Sequence, residues 1–420
     1  MSRPLAVALL TNLYPPYVVG GYEILAREVA DALRARGHVV HVLTGRGRLL
    51  RDDGFTHPAF DLDLDRKEQV FLGGLAPTLA RAIRWHLFHP PTYRRVRRVL
   101  GLLRPDVSVA WNLYGASLAP LIAASRSPAV SVAQPADRWL LHGLTDPVAA
   151  APGLEGPGRL AFRLLCRALR PAVGRLAAPR RLFAVSDFIR GLHLGAGFPA
   201  ERTATIHLGV DVGCFPVAPP RPAGARPWRL AFAGQLWEGK GPQVAVEALA
   251  LLRERGRVPA PALEIFGTGT AGFEAMLDER ARSLGVAAAV RRHGFVPREQ
   301  LGAALGACDA FLFCSTWDEP FSRGLLEAMA CGLPTVATTT GGTPEAVAHE
   351  ENGLLVPPGD APALARAVER LILEPQLAER LGRAAAEDVR KRWSFDDYVG
   401  RLERAWTAAA GEERRKPGAG

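Results

Sequence analysis

The first part of the chain alternates apolar runs with a stretch of helical periodicity. Residues 5–11 read LAVALLT, a run that is typical of a buried strand, and residues 23–36 place apolar side chains at helical spacing. Gly37 is the kind of residue that ends a helix, and a second apolar run, HVVHVLT, follows it directly. This order predicts a βαβ unit near the start of the chain.

The same alternation begins again in the second half of the chain. Residues 228–234 (WRLAFAG) predict a strand, residues 242–253 a helix, and residues 263–267 (LEIFG) the next strand. Further strands are predicted at VRRHGFV, AFLFC and PTVATT, each separated from the next by a helical stretch. Alternation at this spacing is typical of an α/β fold, in which helices cover both faces of a parallel sheet. Because 420 residues exceed one ordinary core, two such lobes are expected.

These patterns divide the chain into five parts. A first lobe, a linker, a second lobe, a last helix and a frayed tail are expected at residues 1–215, 216–227, 228–392, 393–410 and 411–420, respectively. The linker contains too many prolines for a helix or an interior strand. Ser394 and Asp397 could form a capping box at the start of the last helix. The tail has no apolar anchor to hold it.

Composition excludes several classes of protein. Hydrophobic residues make up 48% and charged residues 22% of the chain, which is near the globular average and unlike a disordered or fibrous protein. The formal net charge of +10 suits nucleic acid, anionic lipid or phosphorylated substrates, but no nucleic-acid-binding motif is present. The five cysteines lack a CxxC or zinc spacing. With no apolar run of membrane-spanning length and only a short one at the start, a cytoplasmic location is expected.

The most basic segment lies at residues 81–104 (RAIRWHLFHPPTYRRVRRVLGLLR). One interpretation is a pair of solvated helices separated by Pro90 and Pro91. The other is peripheral contact with an anionic membrane, because arginines interleave with large apolar and aromatic residues as in an interfacial helix. Those residues are Trp85, Leu87, Phe88 and Tyr93, and the arginines expected to matter most are Arg94, Arg95, Arg97 and Arg98.

Residues 267–272 (GTGTAG) match the GxGxxG pattern of dinucleotide-binding loops. Two features argue against a nicotinamide site: the pattern follows the second strand of its lobe, and no acidic residue stands about twenty positions later. A tight turn that needs glycine is the favoured interpretation. A weaker alternative is that Gly267 lets a nucleotide phosphate approach the main chain.

Two loops have the character of anion-binding sites. Gly20 and Gly21 precede a helix, and the free N–H groups at a helix start attract anions, although a simple turn is an equal alternative. Lys240, in GQLWEGKGP, lies in a loop at the carboxyl end of a predicted strand. Ligands bind at that end of the strands in open α/β sheets.

Two glutamates bracket a short predicted helix in the stretch DEPFSRGLLEAM. Ser322 is a plausible N-cap for a helix over residues 323–331, whose start could hold a phosphate. Glu319 lies in the preceding loop, while Glu327 lies within the helix among apolar residues. A buried carboxylate needs a hydrogen-bond partner, and a ribose diol would serve. Solvated surface residues and the two-carboxylate pair of a hydrolase are the alternatives.

The stretch EPFSRGLLEAMACGLPTVAT, with the following TGGTPE, resembles the Glu-x7-Glu signature of retaining, nucleotide-sugar-dependent glycosyltransferases of family 4. The resemblance extends to PPYVVGGYEILAREVADALRARGHVVHVLT, AVSDFIRGLHLGAGFPAERTATIHLGVD, FAGQLWEGKGPQVAVEALALL, FGTGT and HGFV. It implies the GT-B fold, in which two Rossmann-like lobes face a cleft and a C-terminal helix crosses back to the first lobe. The first lobe would be the acceptor side and the second the donor side.

The resemblance also implies roles for individual residues. Glu319 would contact the transferred sugar near the reacting carbon, and Glu327 would bind the nucleotide ribose. The donor diphosphate would be held by loop glycines, a lysine and backbone N–H groups, and the base would be bordered by residues 293–296. The donor-binding residues implied are Gly20, Gly21, Gln235, Lys240, Gly267, Phe295, Val296, Phe321, Ser322 and Arg323. Neither a metal nor a cofactor beyond the nucleotide sugar is implied.

Two positions depart from the family pattern. Gln235 stands where the family often has an arginine on the diphosphate, and Arg323 could compensate. Gln134 stands near a position where the family often has a histidine, which leaves Asp137 and His142 as the polar candidates beside the acceptor. Asp137 is therefore a candidate catalytic residue together with Glu319.

The resemblance predicts an enzyme of glycan or cell-envelope biosynthesis. It would move a sugar from a nucleoside diphosphate sugar, with retention, to a glycan or lipid-linked acceptor. A non-catalytic sugar-nucleotide or glycan-binding relative is the alternative, which Gln134 and Gln235 favour. A GT-B epimerase or phosphorylase has less support, since no pair of epimerase acids and no cofactor lysine can be recognised.

Overall fold

The chain forms two compact units, each built on one parallel sheet. The computed structural model describes residues 3–50, 53–65, 79–144, 155–218 and 227–415. The first unit comprises Met1–Ile206 together with Val399–Gly420, and the second comprises His207–Tyr398. The prediction of two α/β lobes is confirmed.

The sheet of the first unit has seven strands in the order β3-β2-β1-β4-β5-β6-β7. All neighbouring strands are parallel, and β4 and β5 are buried along their whole length, as strands covered by helices on both faces should be. The order reverses between β1 and β4, where ligands bind in open α/β sheets. The strands are β1 (Ala6–Thr11), β2 (Val39–Arg46), β3 (Thr56–Asp63), β4 (Val107–Asn112), β5 (Val130–Ala133), β6 (Arg181–Ala184) and β7 (Thr203–Thr205).

Helices separate these strands. Pro90 and Pro91 lie in the first turn of a helix that His89 caps, where a missing N–H costs no intrahelical bond. They separate this helix from a π-helical turn at Ile83–Leu87, as the sequence predicts. The helices are α1 (Gly21–Ala35), α2 (Leu79–Ala82), α3 (Pro90–Leu103), α4 (Ala119–Ser125), α5 (Trp139–Leu144), α6 (Gly156–Leu176) and α7 (Asp187–Gly195).

The sheet of the second unit has six parallel strands in the order β10-β9-β8-β11-β12-β13. They are β8 (Arg229–Ala233), β9 (Ala262–Phe266), β10 (Val290–Gly294), β11 (Ala310–Phe313), β12 (Thr335–Thr338) and β13 (Leu354–Val356). The helices are α8 (Pro242–Arg255), α9 (Ala271–Ser283), α10 (Arg298–Gly306), α11 (Arg323–Ala330), α12 (Thr343–Ala346), α13 (Ala361–Leu373) and α14 (Pro375–Arg392). Apolar side chains of the sheet and of α8, α13 and α14 form one buried core.

The division between the units falls at Ile206/His207, earlier than the expected limit at residue 215. The Val210 amide donates to the Trp393 carbonyl at 2.9 Å, and Phe215 is fully buried. The Ala218 amide donates to the Cys331 carbonyl at 3.0 Å, so the start of the proline-rich segment also contacts the second unit. Residues 219–226 of that segment lie outside the described residues. Backbone contacts of this kind leave no trace in hydrophobic periodicity.

The last helix, α15 (Phe395–Arg415), is longer than expected, and residues 411–415 are helical rather than frayed. The Glu413 carboxylate lies 3.1 Å from the Arg180 guanidinium, and Glu412 pairs with Arg181. The sequence offers no apolar anchor for these residues, and the two ion pairs hold the end of the helix instead. The Asp397 amide donates to the Ser394 hydroxyl at 3.3 Å, and the helix belongs to the first unit from Val399 onwards.

Candidate functional site

Lys240 and Glu319 form an ion pair at the carboxyl edge of the second sheet, in which the glutamate is buried and the lysine is partly exposed. Lys240 Nζ donates to Glu319 Oε1 at 2.6 Å, and the Glu319 residue is only 3% exposed. The same oxygen accepts hydrogen bonds from Ser315 Oγ and from Trp317 Nε1, the latter at 2.9 Å. Charge-assisted bonds from several donors offset the cost of burying a carboxylate. Two residues with separately predicted ligand roles therefore contact each other, and Ser315 and Trp317 join them.

Gly341 and Gly342 hold the backbone of Glu319. The Gly342 amide donates to the Glu319 carbonyl at 2.7 Å. Gly341 has a φ of +51°, and a Cβ at this position would lie 2.1 Å from the Glu319 carbonyl oxygen. Any residue larger than glycine would collide there, which explains the TGG sequence after β12. Sequence reasoning used this segment only for its resemblance to a family.

The prediction for the helix after Glu319 is confirmed to within one residue. Ser322 is the N-cap of α11, and its hydroxyl accepts from the Leu325 amide at 3.4 Å. The side chain of Phe321 is buried, and its ring contacts His207 and Trp393 with centroids 4.8 and 5.9 Å away. Phe321 could therefore meet a ligand through its backbone, as the resemblance implies, but not through its ring.

Glu327 is buried in α11 and pairs with Arg298. Arg298 Nη2 lies 3.3 Å from Glu327 Oε1, and the guanidinium lies over the Phe215 ring at 5.5 Å. The expectation that a buried Glu327 needs a partner is confirmed, but the partner is a protein cation. Sequence reasoning missed Arg298, the first residue of α10, because nothing in the local sequence HGFVPRE shows which carboxylate it contacts.

The GTGTAG loop is a close approach of two backbone segments. Gly267 has a φ of +139°, and a Cβ there would lie 1.8 Å from the Gly234 carbonyl oxygen. Glycine is therefore required for the end of β9 to pass the end of β8, which is a backbone reason of the expected kind, although the feature is a close approach and not a tight turn. Gln235, the next residue after Gly234, is exposed.

The segment after β10 offers one large exposed apolar side chain. Phe295 is 75% exposed, and Val296 is partly buried. The His293 ring stacks on Phe266, and its Nε2 lies 2.7 Å from Glu264 Oε2. Although burial acts to raise it, hydrogen bonds from His293 and Arg229 hold the pKa of Glu264 below its ordinary value. Of the predicted base-binding residues, Phe295 therefore has the most surface free to meet a base.

In the first unit, Glu23 occupies the start of α1. Its Oε2 accepts from the Gly20 amide at 2.8 Å and from the Val19 amide at 3.3 Å, an arrangement of the capping-box kind. Burial raises the pKa of this carboxyl. A phosphate at this helix start would have to share these donors with Glu23, and the donor-binding role of Gly20 and Gly21 stays a prediction.

Asp137 lies beside the carboxyl end of β5. Its Oδ1 accepts from the Trp139 amide at 2.6 Å, in the first turn of α5. Burial raises the pKa of Asp137 to about 6, and the negative charge of Glu23 adds to the shift. The two carboxyls are therefore close enough for the charge of Glu23 to act on Asp137. The side chain of His142 lies outside the described residues.

Tyr22 connects α1 to β4 and to the segment that follows β5. Its hydroxyl donates to the Gln134 carbonyl, and its ring stacks on Trp111 at a centroid distance of 5.1 Å. Gln134 is fully buried, unlike a histidine that reaches a substrate. Sequence reasoning missed Tyr22, Glu23 and Trp111, since nothing local distinguishes them from other core residues.

Each of the two units matches a family model that describes glycosyltransferases. Residues 19–213 match the model of Glycosyltransferase Family 4, and residues 221–388 match the model of Glycosyl transferases group 1. The fold is similar to the crystal structure of Anabaena Alr3699/HepE in complex with UDP and glucose, with a TM-score of 0.67 and 20% identity, covering 96% of this chain and 100% of that one. The chain has the GT-B fold, and each of its two units matches a glycosyltransferase family model.

Two curated relatives indicate how broad this GT-B group is. The chain is 35% identical over 187 residues to the putative colanic acid biosynthesis glycosyltransferase WcaL of Escherichia coli (43% of this chain, 45% of that protein). It is 33% identical over 216 residues to glycogen synthase of Mycobacterium tuberculosis (51% and 50%). The chain thus spans about half the length of the curated relatives it matches. In this GT-B chain, Lys240, Glu319 and Glu327 lie within the group 1 match, and Glu23 and Asp137 within the family 4 match.

Proposed function

We propose that this protein is a retaining glycosyltransferase that moves a sugar from a nucleoside diphosphate sugar to a glycan or lipid-linked acceptor. The observation that carries the proposal is the pairing of Lys240 with the buried Glu319 at the carboxyl edge of a sheet whose unit matches the group 1 model. The similar HepE structure contains UDP and glucose, which supports a donor of this class.

Lys240 and the start of α11 are the groups we assign to the donor diphosphate. A lysine ammonium has three N–H donors, so Lys240 can bond Glu319 and a phosphate oxygen at once. The start of α11 offers backbone N–H groups and a partial positive charge to an anion. Together they would stabilise the charge that develops on the departing diphosphate, so no metal is needed in this proposal.

Glu319 is the group we assign to the transferred sugar. Its three hydrogen bonds from the residues that the structure describes all go to Oε1, and Oε2 would accept from a sugar hydroxyl. The bond from the anomeric carbon to the diphosphate oxygen breaks as the acceptor oxygen bonds the same face of that carbon. The acceptor proton passes to the departing phosphate oxygen. Retention follows from this front-side attack.

Two further contacts with the donor are assigned to Glu327 of α11 and to Phe295, which precedes α10. Glu327, held by Arg298, would accept from the ribose hydroxyls. Phe295 offers an exposed ring on which a nucleotide base can stack. On the acceptor side we assign Asp137, whose raised pKa lets it exchange a proton near neutral pH.

One observation favours the non-catalytic alternative. Gln134 is fully buried and Gln235 is an exposed amide, so neither adds a cation or a titratable group to the site. A protein of this kind would bind a sugar nucleotide without transferring the sugar.

Transfer and donor hydrolysis, measured with a panel of nucleoside diphosphate sugars, test the proposal. We expect wild-type activity with at least one donor and its loss in Glu319→Gln, while Glu351→Gln, an exposed carboxylate of the same unit, stays active. Donor binding seen as a thermal shift, with no turnover of any donor by the wild type, would establish the binding protein instead. Loss of turnover on treatment with EDTA would contradict metal independence.

A further inference from the structure

Helix α6 (Gly156–Leu176) of the first unit has an unusual charge composition. Its 21 residues include five arginines and neither aspartate nor glutamate. The arginines are Arg159, Arg163, Arg167, Arg170 and Arg175. An ordinary surface helix mixes both signs of charge, whereas here the exposed N-cap, Glu155, is the one acid adjoining five arginines, so the helix carries a net positive charge.

One face of α6 is anchored in the protein. Phe162 and Cys166 are buried four residues apart and pack with Ala82 and Leu87 in a small apolar cluster. Residues four apart lie on one face of a helix, so this cluster determines which way α6 faces.

The opposite face is apolar and exposed. Leu160 is 59% exposed and Leu164 is 61% exposed, and both lie about half a turn around the helix from Phe162. Arg159, Arg163 and Arg167 are exposed at four-residue spacing along one flank of this leucine ridge. A solvated helix places polar residues on its outer face, so exposed leucines bordered by arginines are typical of a helix that lies in a membrane interface.

We propose that this face of α6 docks on an anionic lipid bilayer. Leu160 and Leu164 would enter the boundary between headgroups and acyl chains, and the three flanking arginines would contact lipid phosphates. A second copy of the chain is a poor occupant, because two faces with this excess of arginine over acid repel each other. One of the two interpretations of residues 81–104 is membrane contact, and α6 is a different surface that sequence reasoning did not single out.

Helix α3 of the same unit adds positive charge and has one strongly exposed leucine, Leu102. Arg94, Arg97 and Arg98 are exposed, while Arg95 lies 3.7 Å from Asp61. The proposal deepens the expected membrane contact and does not depend on sugar transfer, because vesicle binding is measured without donor or acceptor.

Co-sedimentation of the full chain with vesicles tests the proposal. We expect binding to vesicles of phosphatidylcholine with phosphatidylglycerol at low salt, and little binding to phosphatidylcholine alone. Replacing Arg159, Arg163 and Arg167 together by glutamine should weaken binding about 100-fold, since each arginine near an anionic surface contributes about fivefold. Leu160→Ser with Leu164→Ser should weaken it about tenfold or more through lost apolar insertion.

Matched controls distinguish binding through this surface from a general effect of net charge or of exposed apolar side chains. The charge control replaces three other exposed arginines by glutamine, which removes the same amount of charge: Arg202, Arg257 and Arg366. The apolar control is Leu373→Ser in α13, since Leu373 is 59% exposed. The controls should bind like the wild type, with thermal unfolding used to show that every variant folds. Equal weakening by the arginine control, or wild-type binding by the leucine double variant, overturns the proposal. A change in oligomeric state in the leucine variant without a change in vesicle binding assigns the face to self-association and also overturns it.

Discussion

Lys240 Nζ lies 2.6 Å from Glu319 Oε1, so a lysine in the loop after β8 contacts a glutamate in the loop after β11 directly. The contact exists because β8 and β11 are neighbours in the sheet, which brings the loops at their carboxyl ends together. It joins the group assigned to the diphosphate to the group assigned to the sugar.

This pair should show strong coupling in a double-mutant cycle. We expect Glu319→Gln and Lys240→Met each to lower kcat/KM by about 100-fold or more, and the double variant to be much less impaired than the product of the two. The reason is that either change alone leaves its partner without the group that orients it. Purely additive losses would mean that the two side chains act independently.

Trp317 should support Glu319 through its indole N–H. Trp317→Phe keeps an aromatic ring and removes the donor to Glu319 Oε1, so we expect kcat to fall about tenfold, with donor KM nearly unchanged. Trp237→Phe is the control, because Trp237 packs against Trp317 at a centroid distance of 5.7 Å. Equal effects of the two variants on kcat would indicate that packing, and not the hydrogen bond, matters.

Gly341→Ala should destabilise the second unit and disturb Glu319. The new Cβ would lie 2.1 Å from the Glu319 carbonyl oxygen at a φ of +51°, and we expect a loss of about 3 kcal/mol in the free energy of unfolding. Gly359→Ala is the matched control, since its φ is +75° but a Cβ there meets nothing within 4 Å. It should cost only about 1 kcal/mol. Denaturant unfolding of both variants measures the difference. Equal losses in the free energy of unfolding would show that the backbone near Glu319 moves to accept the new Cβ at little cost.

Asp137 should make the folded state less stable as pH rises. The pKa of Asp137 is about 6 in the folded protein and near 3.8 in the unfolded chain. As pH rises, the unfolded chain therefore loses this proton before the folded protein does. The cost is absent below about pH 4, grows between about pH 4 and 6, and reaches up to about 3 kcal/mol above that range. Asp137→Asn should therefore be more stable than the wild type at pH 7 and equal to it near pH 4.

Unfolding in denaturant across this pH range checks the expectation for Asp137. Asp31→Asn, which removes an exposed carboxylate of α1, controls for the loss of one negative charge. If the stability difference between Asp137→Asn and the wild type does not change with pH, the carboxyl is already ionised in the folded protein throughout.

Local patterns were sufficient to predict much of the candidate site. The apolar run at AFLFC, the N-cap Ser322 and the apolar helix after it determine a strand, a loop and a helix through short-range interactions, so the placement of Glu319 and Glu327 could be predicted. The same holds for Lys240, which the loop after β8 carries. The limit at residue 215 and the frayed tail were less accurate, because backbone pairing at Val210 and ion pairs at Arg180 join residues far apart in sequence.

The sequence by itself determined two α/β lobes, the order of their strands and helices along the chain, and which loops carry the polar residues. Only the tertiary structure decided the partners: Lys240 for Glu319, Arg298 for Glu327, and Gly341 beneath the Glu319 backbone. It also decided that Phe162 faces inward on α6 while Leu160 faces outward, since helical periodicity is the same for either orientation. The reason is physical: strand order in a sheet and the choice of buried face are set by packing between distant segments, which local sequence does not encode.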